Sequence, residues 1–137
     1  MQLEKATIRN YKCLRDVTVD FSRPEDEEAG FSEHLLVGVN GSGKSCFLEA
    51  LGLIFTRIMQ GEVPGFPFSV QYRIGKDQNR VRIEPSPWKA NAPGRLYLTV
   101  NDGRRRIVEE IPEEYLPRRI VACSSGANHQ MDSVLLT

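Results

Sequence analysis

Gly38-Val39-Asn40-Gly41-Ser42-Gly43-Lys44-Ser45 is the stretch on which the reading of this chain turns. It matches G-x-x-x-x-G-K-[ST], the P-loop or Walker A pattern, at every fixed position. Glycines let such a loop wrap so that successive backbone N–H groups point inward at phosphate oxygens. A helix starting near Lys44 would aim its positive dipole end at the same place. The Lys44 ammonium is then placed to bridge two phosphates, and the Ser45 hydroxyl to ligate Mg²⁺. From average amino-acid usage, the fixed positions would coincide by chance in roughly half a per cent of chains of this length. A nucleotide-phosphate cradle is therefore a stronger reading than a glycine-rich connection.

The flanks fit that reading. Leu35-Leu36-Val37, just upstream, is a short apolar run of the kind that forms a strand covered on both faces. Downstream, residues 44–60 read as a helix, because Phe47, Leu51, Ile54 or Phe55, and Ile58 recur at helical spacing. Gly61 and Pro64 end it.

Further out, strands dominate. Leu3, Ala6 and Ile8 sit among polar residues, Asn10-Tyr11-Lys12 turns the chain, and Val17, Val19 and Phe21 alternate with Asp16, Thr18 and Asp20. Residues 22–33 are acidic, with Pro24 and Gly30, and read as a surface loop. After the Pro/Gly-rich connection 61–67, residues 68–74, 80–84 and 95–100 are strand-like. Asn101-Asp102-Gly103 predicts a hairpin turn, with a return strand over 104–109. Pro85-Ser86-Pro87 and Ala92-Pro93-Gly94 flank Trp88 and mark an irregular excursion. Residues 119–123 read as another buried strand, leading into Ser124-Ser125-Gly126. The fold class expected is α/β: an antiparallel β-layer joined to a P-loop strand and helix.

Bulk properties narrow the setting. Hydrophobic residues at 40% and charged residues at 26% are ordinary for a globular domain, and the length suits a single core. Lys and Arg number 18, as do Asp and Glu, so no global attraction to nucleic acid or membrane follows. Cys13, Cys46 and Cys123 are odd in number and lack metal-ligand spacing, which favours a reducing, cytoplasmic setting. No signal-peptide core opens the chain, and no apolar run approaches the roughly 20 residues that span a bilayer.

The run Ala6-Thr7-Ile8-Arg9-Asn10-Tyr11-Lys12-Cys13-Leu14, then Val17-Thr18-Val19-Asp20-Phe21, then the Asn40-Gly41-Ser42-Gly43-Lys44-Ser45 wording, resembles the opening of RecF/SMC-like, ABC-type P-loop ATPases of the AAA family. Such ATPases serve DNA repair, restriction and phage defence. The resemblance implies ATP and Mg²⁺ as cofactors, bound by Gly38, Val39, Asn40, Gly41, Ser42, Gly43, Lys44, Ser45 and Cys46. It also implies that Lys12, at the basic position of an "NF[RK]" turn, approaches the phosphates. A solvated turn lysine is the competing reading of Lys12. Cys46 departs from the usual Thr or Ser, but the cradle does not need its side chain. Over residues 120–126 the chain resembles the strand entering a Q-loop, which makes Gln130, with Asn128 as the alternative, a candidate for sensing the γ-phosphate and holding Mg²⁺ beside Ser45.

Hydrolysis needs more than a cradle. No stretch has four apolar residues followed by Asp-Glu, and Leu98-Thr99-Val100-Asn101-Asp102 is only the nearest approach. Signature, D-loop and switch histidine are also lacking, with His34 and His129 in no such context. Residues 1–137 are therefore expected to be the N-terminal lobe of an ATPase head, binding ATP without turning it over alone. The expected partner is a second copy or the other half of the head, with nucleic acid engaged through the parent protein and no membrane. Two other classes stay open. One is a small self-contained P-loop kinase with Arg104-Arg105-Arg106 as a lid. The other is a non-enzymatic module using those arginines and Arg118-Arg119 to contact nucleic acid or a partner.

Overall fold

Phe68, Val70, Tyr72 and Ile74 are buried while Ser69, Gln71 and Arg73 are half-exposed, the period-2 pattern of a strand with one face in a core. That strand lies third in a six-stranded sheet. The computed structural model describes residues 1–22, 43–86 and 94–120. In chain order the elements are β1 (Gln2–Tyr11), β2 (Leu14–Asp20), α1 (Lys44–Met59), β3 (Phe68–Ile74), β4 (Asn79–Pro85), β5 (Leu96–Val100), β6 (Arg106–Val108) and a single 3₁₀ turn at Glu113–Tyr115. The sheet order is β2-β1-β3-β4-β5-β6, and every neighbouring pair is antiparallel.

One face of the sheet is apolar. Ala6 and Ile8 from β1 join the inward residues of β3, with Val81 and Ile83 from β4 and Leu96 and Leu98 from β5. Helix α1 covers this face with Phe47, Ala50, Ile54, Phe55 and Ile58. Phe55 meets Tyr72 edge-on at 5.6 Å between ring centroids, and Phe47 meets Phe21 at 6.4 Å. Each of the larger side chains contributes about 1.5–3 kcal/mol on full burial. Tyr72 is wholly buried, and its hydroxyl donates to the Tyr115 carbonyl at 2.6 Å, tying the 3₁₀ turn to the sheet. Burial holds the phenol far above its ordinary ionisation range.

The opposite face is polar, with one irregularity. Between Leu3 and Lys5 the β1–β3 register slips by one residue, which leaves Glu4 in a bulge. The bulge brings its carboxylate to Gln71, Arg73 and Arg80. Arg73 and Arg80 are direct cross-strand partners, so a carboxylate between them removes a like-charge repulsion. Burial alone would push the Glu4 carboxyl up. Hydrogen bonds from Gln71 and Arg73, and the charges of Arg80 and Arg73, outweigh it and hold the group below its ordinary value.

The two-stranded opening, the helix and three of the strands fall where the sequence puts them. Four expectations fare differently. The first turn is Lys12-Cys13, since β1 continues through Asn10 and Tyr11. Leu51 is half-buried, with Ala50 taking the more central place on the helix face. The return strand after the hairpin starts only at Arg106. Asn101 N–H donates to the Arg80 carbonyl at 2.8 Å, and Arg80 bonds Asn101 and Asp102 in return, which draws the turn toward β4 and away from β6. Lastly, Arg119 and Ile120 are irregular rather than strand, and residues 121–123 lie outside the described residues. So do the 35–37 strand, most of the acidic loop, and the Trp88 excursion.

Candidate functional site

The described part of the predicted cradle is its last three residues, Gly43, Lys44 and Ser45, with Cys46 beyond them. Gly43 is the N-cap of α1 and adopts a left-handed conformation, with φ 92°. A Cβ there would lie 3.0 Å from Leu14 Cδ2 and 3.6 Å from Cys13 Sγ, so the positive φ favours glycine and the Leu14 side chain would have to shift to admit a larger residue. Lys44 begins the helix, Ser45 is exposed, and Cys46 is half-buried. The Phe47 N–H closes the first helical bond to the Gly43 carbonyl at 2.9 Å. The first turn contains no acidic residue, and no side chain caps it among the described residues. An N-terminus built that way presents N–H groups and a positive dipole end to an anion. Gly38, Val39, Asn40, Gly41 and Ser42, and Gln130 with Asn128, lie outside the described residues.

The β1–β2 turn is brought against this helix start. Tyr11 pairs with Leu14 across the turn, and Lys12 takes a left-handed φ of 48°, a strained conformation for a lysine. The Arg15 guanidinium donates to the carbonyls of Lys12 at 2.6 Å and Leu14 at 2.8 Å, which holds the turn closed. From here Lys12 Nζ reaches both carboxylate oxygens of Glu49, at 2.8 and 2.9 Å. Glu49 stands one turn into α1, and its side chain is 12% exposed against 41% for Lys12. The Lys12 ammonium also lies 5.7 Å from the centre of the Tyr11 ring.

Titration follows this arrangement. The hydrogen bond to Glu49 raises the Lys12 ammonium above its ordinary value, so it is a full cation at neutral pH. The Tyr11 phenol is raised by burial first and then by the Glu49 charge, to which it also hydrogen-bonds. The Cys46 thiol is raised by its hydrogen bond with Cys13 and by burial. Tyr11, Lys12 and Cys13 from the turn thus meet Cys46 and Glu49 from the helix. Lys12 is ion-paired rather than merely solvated, and the turn that carries it abuts Gly43.

A family profile of the AAA ATPase domain matches residues 1–96. The chain belongs to the AAA ATPase domain family. No curated protein matches it at a significant level. The AAA ATPase match takes in β1, β2, α1, β3 and β4 and ends on the first residue of β5, so it contains both halves of the corner just described. Members of this family bind nucleotide, in general ATP with Mg²⁺. The described sheet and single helix are compatible with part of an α/β P-loop fold. Among the described residues, no helix of this AAA ATPase domain is long and apolar enough to cross a membrane.

Glu49 was not legible as the partner of Lys12. A sequence signal does exist for part of it. Cys46 and Glu49 are three apart and share a helix face, and Glu49 is four beyond Ser45. What the spacing lacks is the docking of the β1–β2 turn on that face. Arg104, Arg105 and Arg106 are exposed around the β5–β6 connection, where Arg105 stacks on the Tyr97 ring at 4.1 Å. A separate depression, lined in part by Met1, Met59, Ile74, Ile111 and Leu116, opens at the other end of α1, about 24 Å along the helix from Gly43. Charged Lys76, Glu110, Glu113, Glu114, Arg118 and Arg119 line it as well.

Proposed function

We propose that this chain binds Mg²⁺-ATP on the Walker A loop formed by residues 38–45, with the β1–β2 turn forming one wall of the phosphate site. The observation that carries the reading is the left-handed Gly43, packed against Cys13 and Leu14, at the head of a helix whose first turn has no acidic residue. A side chain at that position would be strained, and the helix end favours an anion. Backbone N–H groups from Gly43 to Cys46 would hold phosphate oxygens, and Lys44 would bridge two of them. Mg²⁺, when bound, neutralises phosphate charge. It usually takes few protein ligands beside phosphate and water, which suits the lone Ser45 hydroxyl, with Gln130 as a second ligand. Lys12 would exchange part of its bond to Glu49 for a phosphate oxygen, one strong acceptor for another.

The finer assignment follows the resemblance to RecF/SMC-like, ABC-type ATPases. On that reading residues 1–137 are one lobe of an ATPase head. The Walker B carboxylates and signature would come from the rest of the head or from a second copy, and nucleic acid would be engaged by the whole assembly. Binding is then separable from turnover. Calorimetric titration of Mg²⁺-ATP into the chain and into Lys44→Ala, with phosphate release assayed on the same samples, tests this. We expect binding that weakens by about 100-fold in Lys44→Ala, as loss of charge-assisted phosphate contacts predicts, and no phosphate release from either. Equal binding by both proteins would overturn the cradle, and turnover dependent on Lys44 would overturn the division of labour.

A further inference from the structure

Arg104, Arg105 and Arg106 follow the Asn101-Asp102-Gly103 turn as exposed cations in a row. The acids nearest to them in sequence are committed elsewhere. Asp102 pairs with Arg80 at 3.1 Å, Glu109 pairs with Arg95 at 3.6 Å, and Glu110 lies against Gly61 at the far end of α1. Among the described residues, no carboxylate forms an ion pair with any of these arginines. Arg105 is held by stacking, with its guanidinium 4.1 Å from the centre of the Tyr97 ring, which leaves its N–H donors unspent. Tyr97 stands between the buried Leu96 and Leu98 and so faces out of the sheet. Its β6 partner, Ile107, is 58% exposed, so nothing among the described residues covers this edge. On β4, Arg82 adds a cation whose hydrogen bonds go to the neutral Gln71 amide. Glu84, opposite Tyr97, is the acid of this corner, and the arginines outnumber it in a chain whose formal net charge is zero.

We propose that this arginine corner, Arg104 to Arg106 with Arg82 and Tyr97, is a docking surface for the phosphate backbone of a nucleic-acid duplex. Exposed guanidiniums without carboxylate partners match phosphate oxygens in charge and in fork geometry. A guanidinium already stacked in place loses less freedom on binding than a free one. Because Arg105 occupies the Tyr97 ring, that ring offers no platform to a splayed base, and the contact reads backbone rather than sequence. The surface lies beyond residues 1–96, the stretch matched by the AAA ATPase profile, and is no part of the phosphate cradle. It deepens the reading above, on which it rests for the presence of nucleic acid, but it uses no residue of the Walker A loop.

The test titrates the full chain with a fluorescein-labelled DNA duplex, read by fluorescence anisotropy over a salt series. The expected result is binding that ignores base sequence and weakens about 40-fold as salt rises fourfold, the response of three phosphate contacts. The triple variant Arg104→Ala, Arg105→Ala, Arg106→Ala should lose that salt response, its log–log slope falling by about three. Mg²⁺-ATP affinity of the same variant, measured by calorimetry, should match that of the unaltered chain. A chain that binds the duplex but not Mg²⁺-ATP would sink the Walker A reading and leave this surface standing. No duplex binding at low salt, or equal binding by the triple variant, would overturn the proposal. So would a single-stranded oligonucleotide or polyglutamate that displaces the duplex as well as unlabelled duplex does, the second outcome pointing to an acidic protein partner. Should the triple variant fail to fold, p-hydroxyphenylglyoxal on the unaltered chain decides the matter. Duplex should shield the Arg104–Arg106 peptide from modification, and an unchanged rate there overturns the surface.

Discussion

At the start of β1, Glu4 receives Gln71, Arg73 and Arg80 in a buried bulge. At the end of the same strand, Lys12 reaches across to Glu49 from an exposed, left-handed turn. Both are charged clusters, both bridge elements distant in sequence, and they differ in what surrounds the central charge. Glu4 is 7% exposed and lies between two arginines that face one another across β3 and β4, so its carboxylate completes the sheet. Lys12 is carried on strained backbone and faces a helix N-terminus that favours an anion. A buried charge with matched partners serves the fold. An exposed charge on strained backbone, beside a helix end that favours an anion, is suited to a ligand.

The largest effect should come from the Glu4 end. Glu4→Gln leaves Arg73 and Arg80 opposed without their anion and should cost about 2 kcal/mol of stability, read from urea unfolding. Mg²⁺-ATP affinity should not change. The acid limb gives a sharper form. A carboxyl held below its ordinary value of 4.5 stabilises the fold above that pH and loses the contribution as pH falls through the lowered value. The stability gap between the two proteins should therefore be full at neutral pH and close in acid. A gap that widens in acid would contradict the assignment.

At the other end, Gly43→Ala forces a side chain into left-handed backbone 3.0 Å from Leu14 Cδ2. It should cost about 1–2 kcal/mol in stability, and unlike Glu4→Gln it should also weaken Mg²⁺-ATP in calorimetry. Intact affinity in a folded Gly43→Ala protein would break the comparison. Glu49→Gln should move stability least, by less than about 0.5 kcal/mol, because one partner of the pair is well exposed. Its informative readout is affinity. Releasing Lys12 from Glu49 should tighten Mg²⁺-ATP by about threefold, or roughly 0.6 kcal/mol, whereas a purely structural pair would leave affinity unchanged or weaken it.

The contrast also explains what could be read in advance. β3 was legible because Phe68, Val70, Tyr72 and Ile74 alternate with polar residues. α1 was legible because its apolar stripe keeps helical spacing up to Gly61. Asn101 and Asp102 announced their turn through residues that accept positive φ, and both adopt it. These are local signals. The late start of β6 was not legible, since it depends on hydrogen bonds from the turn to Arg80 on β4. Glu4 reads as one more surface acid in an N-terminal strand, and only the one-residue register slip against β3 buries it. At the candidate site, Gly43 to Cys46 and Lys12 were legible through motif wording. Glu49, Tyr11 and Cys13 became site neighbours only when the β1–β2 turn docked on the helix, a long-range event that spacing does not encode.

The central claim is that nucleotide binds at one end of β1 and leaves the other alone. Hydrogen exchange with and without Mg²⁺-ATP, read by mass spectrometry at peptide resolution, tests it most directly. Slowed exchange is expected in peptides covering residues 10–14 and 43–49, with no change around Glu4, Arg73 and Arg80. Protection centred on the Glu4 cluster, or none at residues 43–49 under saturating Mg²⁺-ATP, would contradict it.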